Sequence, residues 1–338
     1  MPKVSIIIPV YKSEAYLHKC LSSVVNQTLR DIEIIVVNNA SPDNSQYIID
    51  KFAESDTRIK LIKNKENEGI CQARNAGLKI AEGEYAGFLD ADDWVKPQMF
   101  ESMYRAAVKN SADMVICNSR SVCEGRVHPP RFSIAKELIH LEKTGFDNYM
   151  YNYYFPNRHG YENWNKLYKL GIIRKNDISF DGRITFAEDA FFNLEYLLFT
   201  NTICCLDIPL HFYLNRKDSF INIKNPRLLQ DSLLLLDEFY RKACLKKKLH
   251  LIEAVYPYLT YHCIDYVFSA RIRKENTSIR NLNTEFFLLK EFPFVEQCMD
   301  RIHCERKTIG KYISSLLILK RSYFLLSFYK YIQKKLLA

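Results

Sequence analysis

The chain has 338 residues, 48% of them hydrophobic, and a formal net charge of +9. That is enough apolar material for a sizeable core, which excludes a disordered chain and leaves one large domain with an appendage or two unequal domains. The excess positive charge favours acidic partners such as phosphates or anionic lipid. Most of it, however, lies in one stretch, Arg306 to Ala338, which holds eight basic residues and no Asp or Glu. The rest is close to neutral, and no nucleic-acid partner is expected.

In chain order, Val4 to Pro9 reads as a buried strand, and Ser13 opens a helix to Asn26 with Leu17, Leu21, Val24 and Val25 on one face. Ile32 to Val37 is a second apolar strand, and Pro42-Asp43-Asn44-Ser45 starts a second helix, with Asp43 as its expected cap. Ile59 to Ile62 is a third strand, Ile70 to Ala81 a helix stopped at Gly83, and Tyr85 to Leu89 a fourth strand. Gly69 suits a tight turn and Gly77 close helix packing. Alternating strands and helices with continuous apolar strands predict a mostly parallel sheet covered on both faces. Ligands bind such sheets beyond the carboxyl ends of the strands, where PVY, NNASPD and DADD fall.

Residues 119 to 188 are less regular and include an aromatic run, YMYNYYFPNRHGYENW, suited either to stacking on sugar faces or to core packing. Beyond Pro226 helical spacing dominates. The predicted division is a catalytic domain over 1–224 and a helical region over 225–338. Ten scattered cysteines, with Cys204 and Cys205 facing opposite sides of a strand-like run, favour a reducing compartment. No C-x-x-C pair supports a zinc site. The apolar part of MPKVSIIIPVYKSE is too short for a signal peptide, and no apolar run reaches membrane-spanning length. A cytoplasmic protein is expected.

The fourth strand ends in Asp90, Asp92 and Asp93. Carboxylates this close raise the cost of ionising one another, unless a cation sits among them. A D-x-D spacing of hard oxygen ligands suits Mg²⁺ or Mn²⁺ bridging substrate phosphates. The competing reading is a helix cap, with Asp92 or Asp93 opening a helix from about Lys96 to Lys109.

The segments VSIIIPVY, VVNNASPDNS, NEGICQARNAG, LDADD, WNKLY and FAED, in this order over the first two thirds of the chain, resemble the family 2 glycosyltransferases. The resemblance implies the GT-A nucleotide-sugar-binding fold and an inverting sugar transfer in bacterial surface-polysaccharide synthesis. It places Pro9, Val10 and Tyr11 against the nucleoside and Asp90, Ala91 and Asp92 at the diphosphate. The metal falls to Asp92 and Asp90, with Asp93 as helper and His211 completing the shell. Asn39 stands where relatives usually carry an acidic residue that recognises uracil, and Asn38 departs likewise, so a UDP donor rests on an amide carbonyl. Arg74 contacts a phosphate or pairs with the acidic cluster. Lys166 and Arg216 offer positive charge to the diphosphate. Asp189 is the implied base, deprotonating the acceptor hydroxyl, and Glu188 supports it. Without the upstream motifs, the same pair reads as the acidic first turn of a helix from about Ala190 to Phe199, capped by Thr185 or Asp189.

The tail from Ile318 gathers Ile318, Leu325, Leu326, Tyr329, Ile332 and Leu336 opposite Lys320, Lys330, Lys334 and Lys335. Such a helix lies in an anionic membrane surface or packs on protein. On the first reading the enzyme is peripheral on the inner face of the cell membrane, close to a lipid-linked acceptor; a glycan is the other acceptor expected. Two competing functions remain: a sugar nucleotidyltransferase, for which PVYKSEAY lacks the expected glycine- and arginine-rich loop, and a silent glycan-binding module.

Overall fold

The computed structural model describes residues 1–184, 187–216, 228–256, 259–260 and 263. The chain divides into two compact units, 1–183 together with 187–216, and 184–186 together with 217–338. The boundary expected near Asn225 and the basic tail both lie outside the described residues.

The first unit opens with β1 (Val4–Val10), α1 (Glu14–Val25), β2 (Ile32–Asn38), α2 (Ser45–Ser55), β3 (Ile59–Lys63), α3 (Ile70–Ile80) and β4 (Tyr85–Phe88). β1 is buried at all but one position and β2 at all of them, because helices cover both faces. There follow β5 (Trp94–Val95), α4 (Met99–Lys109), β6 (Met114–Cys123), β7 (Arg126–Pro130) and β8 (Glu137–His140). Two short helices, α5 (Leu141–Thr144) and α6 (Phe146–Tyr149), lead into a π-helical turn, Met150–Tyr154. The unit ends with β9 (Lys166–Lys169), α7 (Leu170–Lys175), α8 (Glu188–Leu197) and β10 (Thr202–Leu214).

The strands form one mixed sheet in the order β3-β2-β1-β4-β9-β6-β10-β5, with β7 on β6 and β8 on β10. β3, β2, β1 and β4 are parallel, as are β6 and β10. β9 runs antiparallel between β4 and β6, and β5 antiparallel to β10. The fold is therefore α/β with a mostly parallel central sheet flanked by helices. Helix α3 lies so close to β1 that a Cβ on Gly77 would come within 2.5 Å of Ile7 Cγ2.

Two features differ from the sequence reading. The region expected to be irregular supplies the end of β6 and all of β7, β8 and β9, because its strands are short, interrupted by Pro and Gly, and paired with partners distant in sequence. Asp43 also serves two helices. Its Oδ1 accepts the Ser45 N–H, and its Oδ2 accepts the Glu14 N–H at 2.9 Å, at the start of α1. Glu14 returns the contact, accepting the N–H and the side-chain amide of Asn44. The Ser13 hydroxyl, the expected cap, donates instead to the Tyr11 carbonyl.

In the second unit, α9 (Leu228–Leu245) is followed by α10 (Leu249–Ile252). The Tyr256 hydroxyl donates to the Leu236 carbonyl, and Leu233, Leu236, Phe239, Ile252 and Val255 are buried.

Candidate active site

The candidate residues come from the ends of β1, β4 and β10, from α3 and from the start of α8. The Asp93 N–H donates to the Asp90 carbonyl, closing a tight turn after β4. Asp93 is buried, and its Oδ1 accepts the Leu214 N–H at 2.7 Å, which ties the turn to the end of β10. Helix α4 begins only at Met99, after Gln98, so the acidic cluster does not cap it. The carboxylates sit ahead of that helix with no capping task there.

Arg74, on α3, is 1% exposed. Its Nη2 donates to Asp90 Oδ1 at 3.1 Å, and its Nη1 to Glu188 Oε1 at 3.0 Å and Asp189 Oδ1 at 2.6 Å. The acidic turn after β4 and the acidic start of α8 thus share one guanidinium. Burial works against the Arg74 charge, but Asp189, Asp90 and Glu188 outweigh it and hold the side chain protonated. Burial pushes the Asp189 carboxyl well upward, Arg74 opposes this, and Glu188 and Asp90 add to it. The net direction is upward because burial outweighs the pull of a guanidinium that three carboxylates share.

The start of α8 is set from two sides. The Asn75 side chain donates to the Phe180 carbonyl and accepts the Phe180 N–H, at 2.8 and 2.9 Å. Phe180 then stacks on Phe192 of α8 with centroids 4.2 Å apart. Tyr154, from the aromatic run, donates its hydroxyl to the Ala190 carbonyl. Ala187 adopts a left-handed conformation at φ 62°, which turns the chain into the helix. Within FAED, Phe186 lies outside the described residues, as does Thr185.

Asp92 pairs with Arg216, whose Nη2 lies 2.9 Å from Asp92 Oδ2 and whose guanidinium covers the Tyr16 ring. Burial and the charges of Asp93 and Asp90 nevertheless raise the Asp92 carboxyl to about 7. His211 is fully buried and stacks on Trp164 at 4.1 Å. Its Nε2 lies 3.2 Å from Asp93 Oδ2, yet neither atom makes a hydrogen bond of acceptable angle, nor does His211 Nδ1. Burial lowers its pKa to about 3, so the imidazole is neutral, the form that ligates metals. The unsatisfied buried atoms are Asp93 Oδ2 and both His211 ring nitrogens, beside the Asp90 and Asp92 carboxylates, a donor set of the kind that suits a hard divalent cation.

Pro9 is half-buried, Ala91 and Val10 are buried, and Tyr11 is 41% exposed at the mouth of β1. Two expected donor contacts meet a different arrangement. Asn39 Oδ1 accepts from Asn64 Nδ2 and the Glu68 N–H, while Nδ2 donates to Asn67 Oδ1 and the Gly69 carbonyl. Both lone pairs of its carbonyl are engaged, so the side chain organises loop 64–69 rather than offering an acceptor to a base. Lys166 is likewise corrected. Its ammonium donates to the carbonyls of His159, Gly160 and Glu162 and to Asn165 Oδ1, which leaves no proton for a diphosphate. Burial lowers its pKa to about 8. The Asn75 clamp and the link from Asp93 to Leu214 escaped the sequence reading, because neither follows from local spacing.

The description "Glycosyl transferase family 2" matches residues 5–179. The EpsH protein of Bacillus subtilis (strain 168) is 33% identical over 70% of this chain and 67% of its own length. TarP of Staphylococcus aureus (strain N315), a poly(ribitol-phosphate) beta-N-acetylglucosaminyltransferase, is 31% identical over 59% of this chain and 58% of its own. The chain thus spans about two thirds or less of these relatives' lengths. The crystal structure of S. aureus TarS 1–349 in complex with UDP-GlcNAc superposes with a TM-score of 0.70 at 19% identity, covering 98% of this chain and 92% of that one. Family match and fold agree with the paired acidic loops, and the chain belongs to glycosyltransferase family 2.

Proposed function

We propose that the protein transfers a sugar, with inversion at the anomeric carbon, from a nucleotide-sugar donor to a hydroxyl of a glycan or lipid-linked acceptor in surface-polysaccharide synthesis. The observation carrying this reading is the Arg74 bridge, which sets Asp90 and Asp189 against one guanidinium. Donor-side and acceptor-side chemistry then belong to one cleft.

In this reading the exposed Tyr11 ring covers the base and Asp189 takes the acceptor's proton as its oxygen attacks. Arg74 fixes the orientation of Asp189 through Oδ1 and favours its charged, proton-accepting form. Glu188 shares that guanidinium and faces the acceptor side. Arg216 lies beside Asp92, close enough to offer charge to a departing diphosphate. Asp92, Asp90 and His211 would hold a Mn²⁺ or Mg²⁺ ion, which would supply charge neutralisation to that leaving group. A UDP donor is supported by the ligands bound in the TarS structures, UDP and UDP-GlcNAc, and not by Asn39. The name of TarP supports a sugar-bearing polymer as the class of acceptor.

The test is a panel of nucleotide sugars assayed for Mn²⁺-dependent donor hydrolysis and transfer, with Asp92→Ala and Asp189→Asn alongside. Turnover that survives metal removal discards the role of the acidic turn. Full transfer by Asp189→Asn moves the base elsewhere.

A further inference from the structure

On the far side of β10 from the hydrophobic core a second group of side chains converges that sugar transfer does not use. Cys205 and Glu137 face each other as a register pair between β10 and β8. His159 reaches them from the loop that follows the π-helical turn. Its Nε2 lies 3.6 Å from Cys205 Sγ and 3.9 Å from Glu137 Oε1, and the three ligand atoms are all within 4.8 Å of one another. Ligands on a tetrahedral Zn²⁺ with bonds of 2.0–2.3 Å stand about 3.3–3.6 Å apart. Closing the group onto an ion therefore takes side-chain adjustment alone.

We propose that Cys205, His159 and Glu137 form a zinc site that staples the aromatic segment 149–161 to the sheet. The surrounding contacts suit ligation. His159 Nδ1 lies 3.1 Å from the Tyr149 hydroxyl, which fixes the ring and turns Nε2 towards the thiol. Tyr153 donates its hydroxyl to Glu137 Oε2 at 3.0 Å and stacks on the imidazole at 4.9 Å. Such outer contacts orient the ligands of natural zinc sites. Burial keeps His159 neutral, with its pKa lowered to about 3. Cys205 is fully buried and Glu137 half-buried, and a water would complete the tetrahedral shell as fourth ligand. On binding, the Cys205 thiol gives its proton to bulk water, and thiolate plus carboxylate balance the two positive charges. The neighbouring Lys166 cation, held on the His159 carbonyl, then faces a neutral group. A thiolate and an imidazole favour Zn²⁺ over the hard ions suited to the Asp90 and Asp92 turn. The ligands lie 46 and 22 residues apart along the chain, which is why no short motif announces them.

The full chain, stripped of metal and titrated with Co²⁺ and then Zn²⁺, tests this. One equivalent of Co²⁺ is expected to give a thiolate-to-metal charge-transfer band and tetrahedral visible absorption, both displaced by Zn²⁺. Cys205→Ser and His159→Gln should abolish the band, and circular dichroism reports whether they fold. Tyr149→Phe, which removes one hydroxyl, should fold and lose about ten- to hundredfold in Zn²⁺ affinity. Zn²⁺ at a hundredfold excess over its Kd should raise the Tm by about 5–10 °C. A Co²⁺ spectrum without a thiolate band overturns the proposal, as does a band that persists in Cys205→Ser or a Zn²⁺ affinity unmoved by Tyr149→Phe.

Discussion

Arg74 and Asp189 stand 115 positions apart in sequence and meet at 2.6 Å, the shortest of the three carboxylate contacts that the guanidinium makes. The contact fixes where Asp189, the proposed base, sits relative to the acidic turn, since the other terminal nitrogen of the same planar group holds Asp90. Position and charge at this point are one problem with one solution. Changing the arginine is therefore expected to disturb both.

Arg74→Ala should cost about 3 kcal/mol of folding stability, because it removes the one cation shared by three half-buried carboxylates. Arg74→Lys should recover part of the stability but little transfer, since an ammonium lacks the planar fork that holds Asp90 and Asp189 together. Urea unfolding beside a transfer assay separates the two effects. A fully active lysine variant would show that the fork geometry is dispensable.

Asp189→Asn keeps the volume and removes the base. Transfer should fall by about 10²- to 10⁴-fold. Thermal stability should hold or rise, because the cluster loses one of the charges that repel Asp90 and Glu188. Single-turnover kinetics with saturating donor read the chemical step directly.

For Asp92, burial together with Asp93 and Asp90 raises the carboxyl to about 7, against the pull of Arg216. The folded chain therefore holds a proton that the unfolded chain releases near pH 3.8, the ordinary value. This contribution to stability is complete below about pH 3.8 and is lost as the pH rises through about 7. A divalent cation should replace the proton, so Mn²⁺ should raise the Tm more at pH 8 than at pH 5.5. Asp92→Asn should flatten both dependences. Equal Mn²⁺ shifts at the two pH values would place the ion elsewhere.

Lys166→Met keeps a long side chain but strips the donors from the carbonyls of His159, Gly160 and Glu162. The expected loss is about 1–3 kcal/mol for polar groups left buried and unpaired. The KM for the donor should stay within about twofold, since the ammonium is committed to its loop. A large rise in KM at unchanged stability would return Lys166 to the diphosphate.

How much was legible follows from the range of the interactions involved. The first four strands and three helices could be read because their apolar periodicity is local and their strands pair in parallel with near neighbours. The position of Gly77 against Ile7 belongs with them, since a helix crossing that tight demands a residue without a Cβ. β9 could not be read from its pattern. WNKLY looks like a short mixed run, and only the edges of β4 and β6 on either side make it a strand. The acidic pairs were visible as residue types, but the guanidinium joining them was one of two alternatives for Arg74. Asn39 and Lys166 read differently in sequence and in structure for a shared reason: a polar side chain near a cleft looks available until its hydrogen bonds are counted.

The reversed strand β9 has a wider effect. Held along both edges, it cannot slide, so the residues just before it, including Trp164 against His211, are pinned to the same register as the acidic turn. The stretch between β8 and β9 is held by side-chain contacts instead, such as Tyr154 on the Ala190 carbonyl and His159 beside Cys205, so its length can change between those contacts without disturbing the register of the sheet.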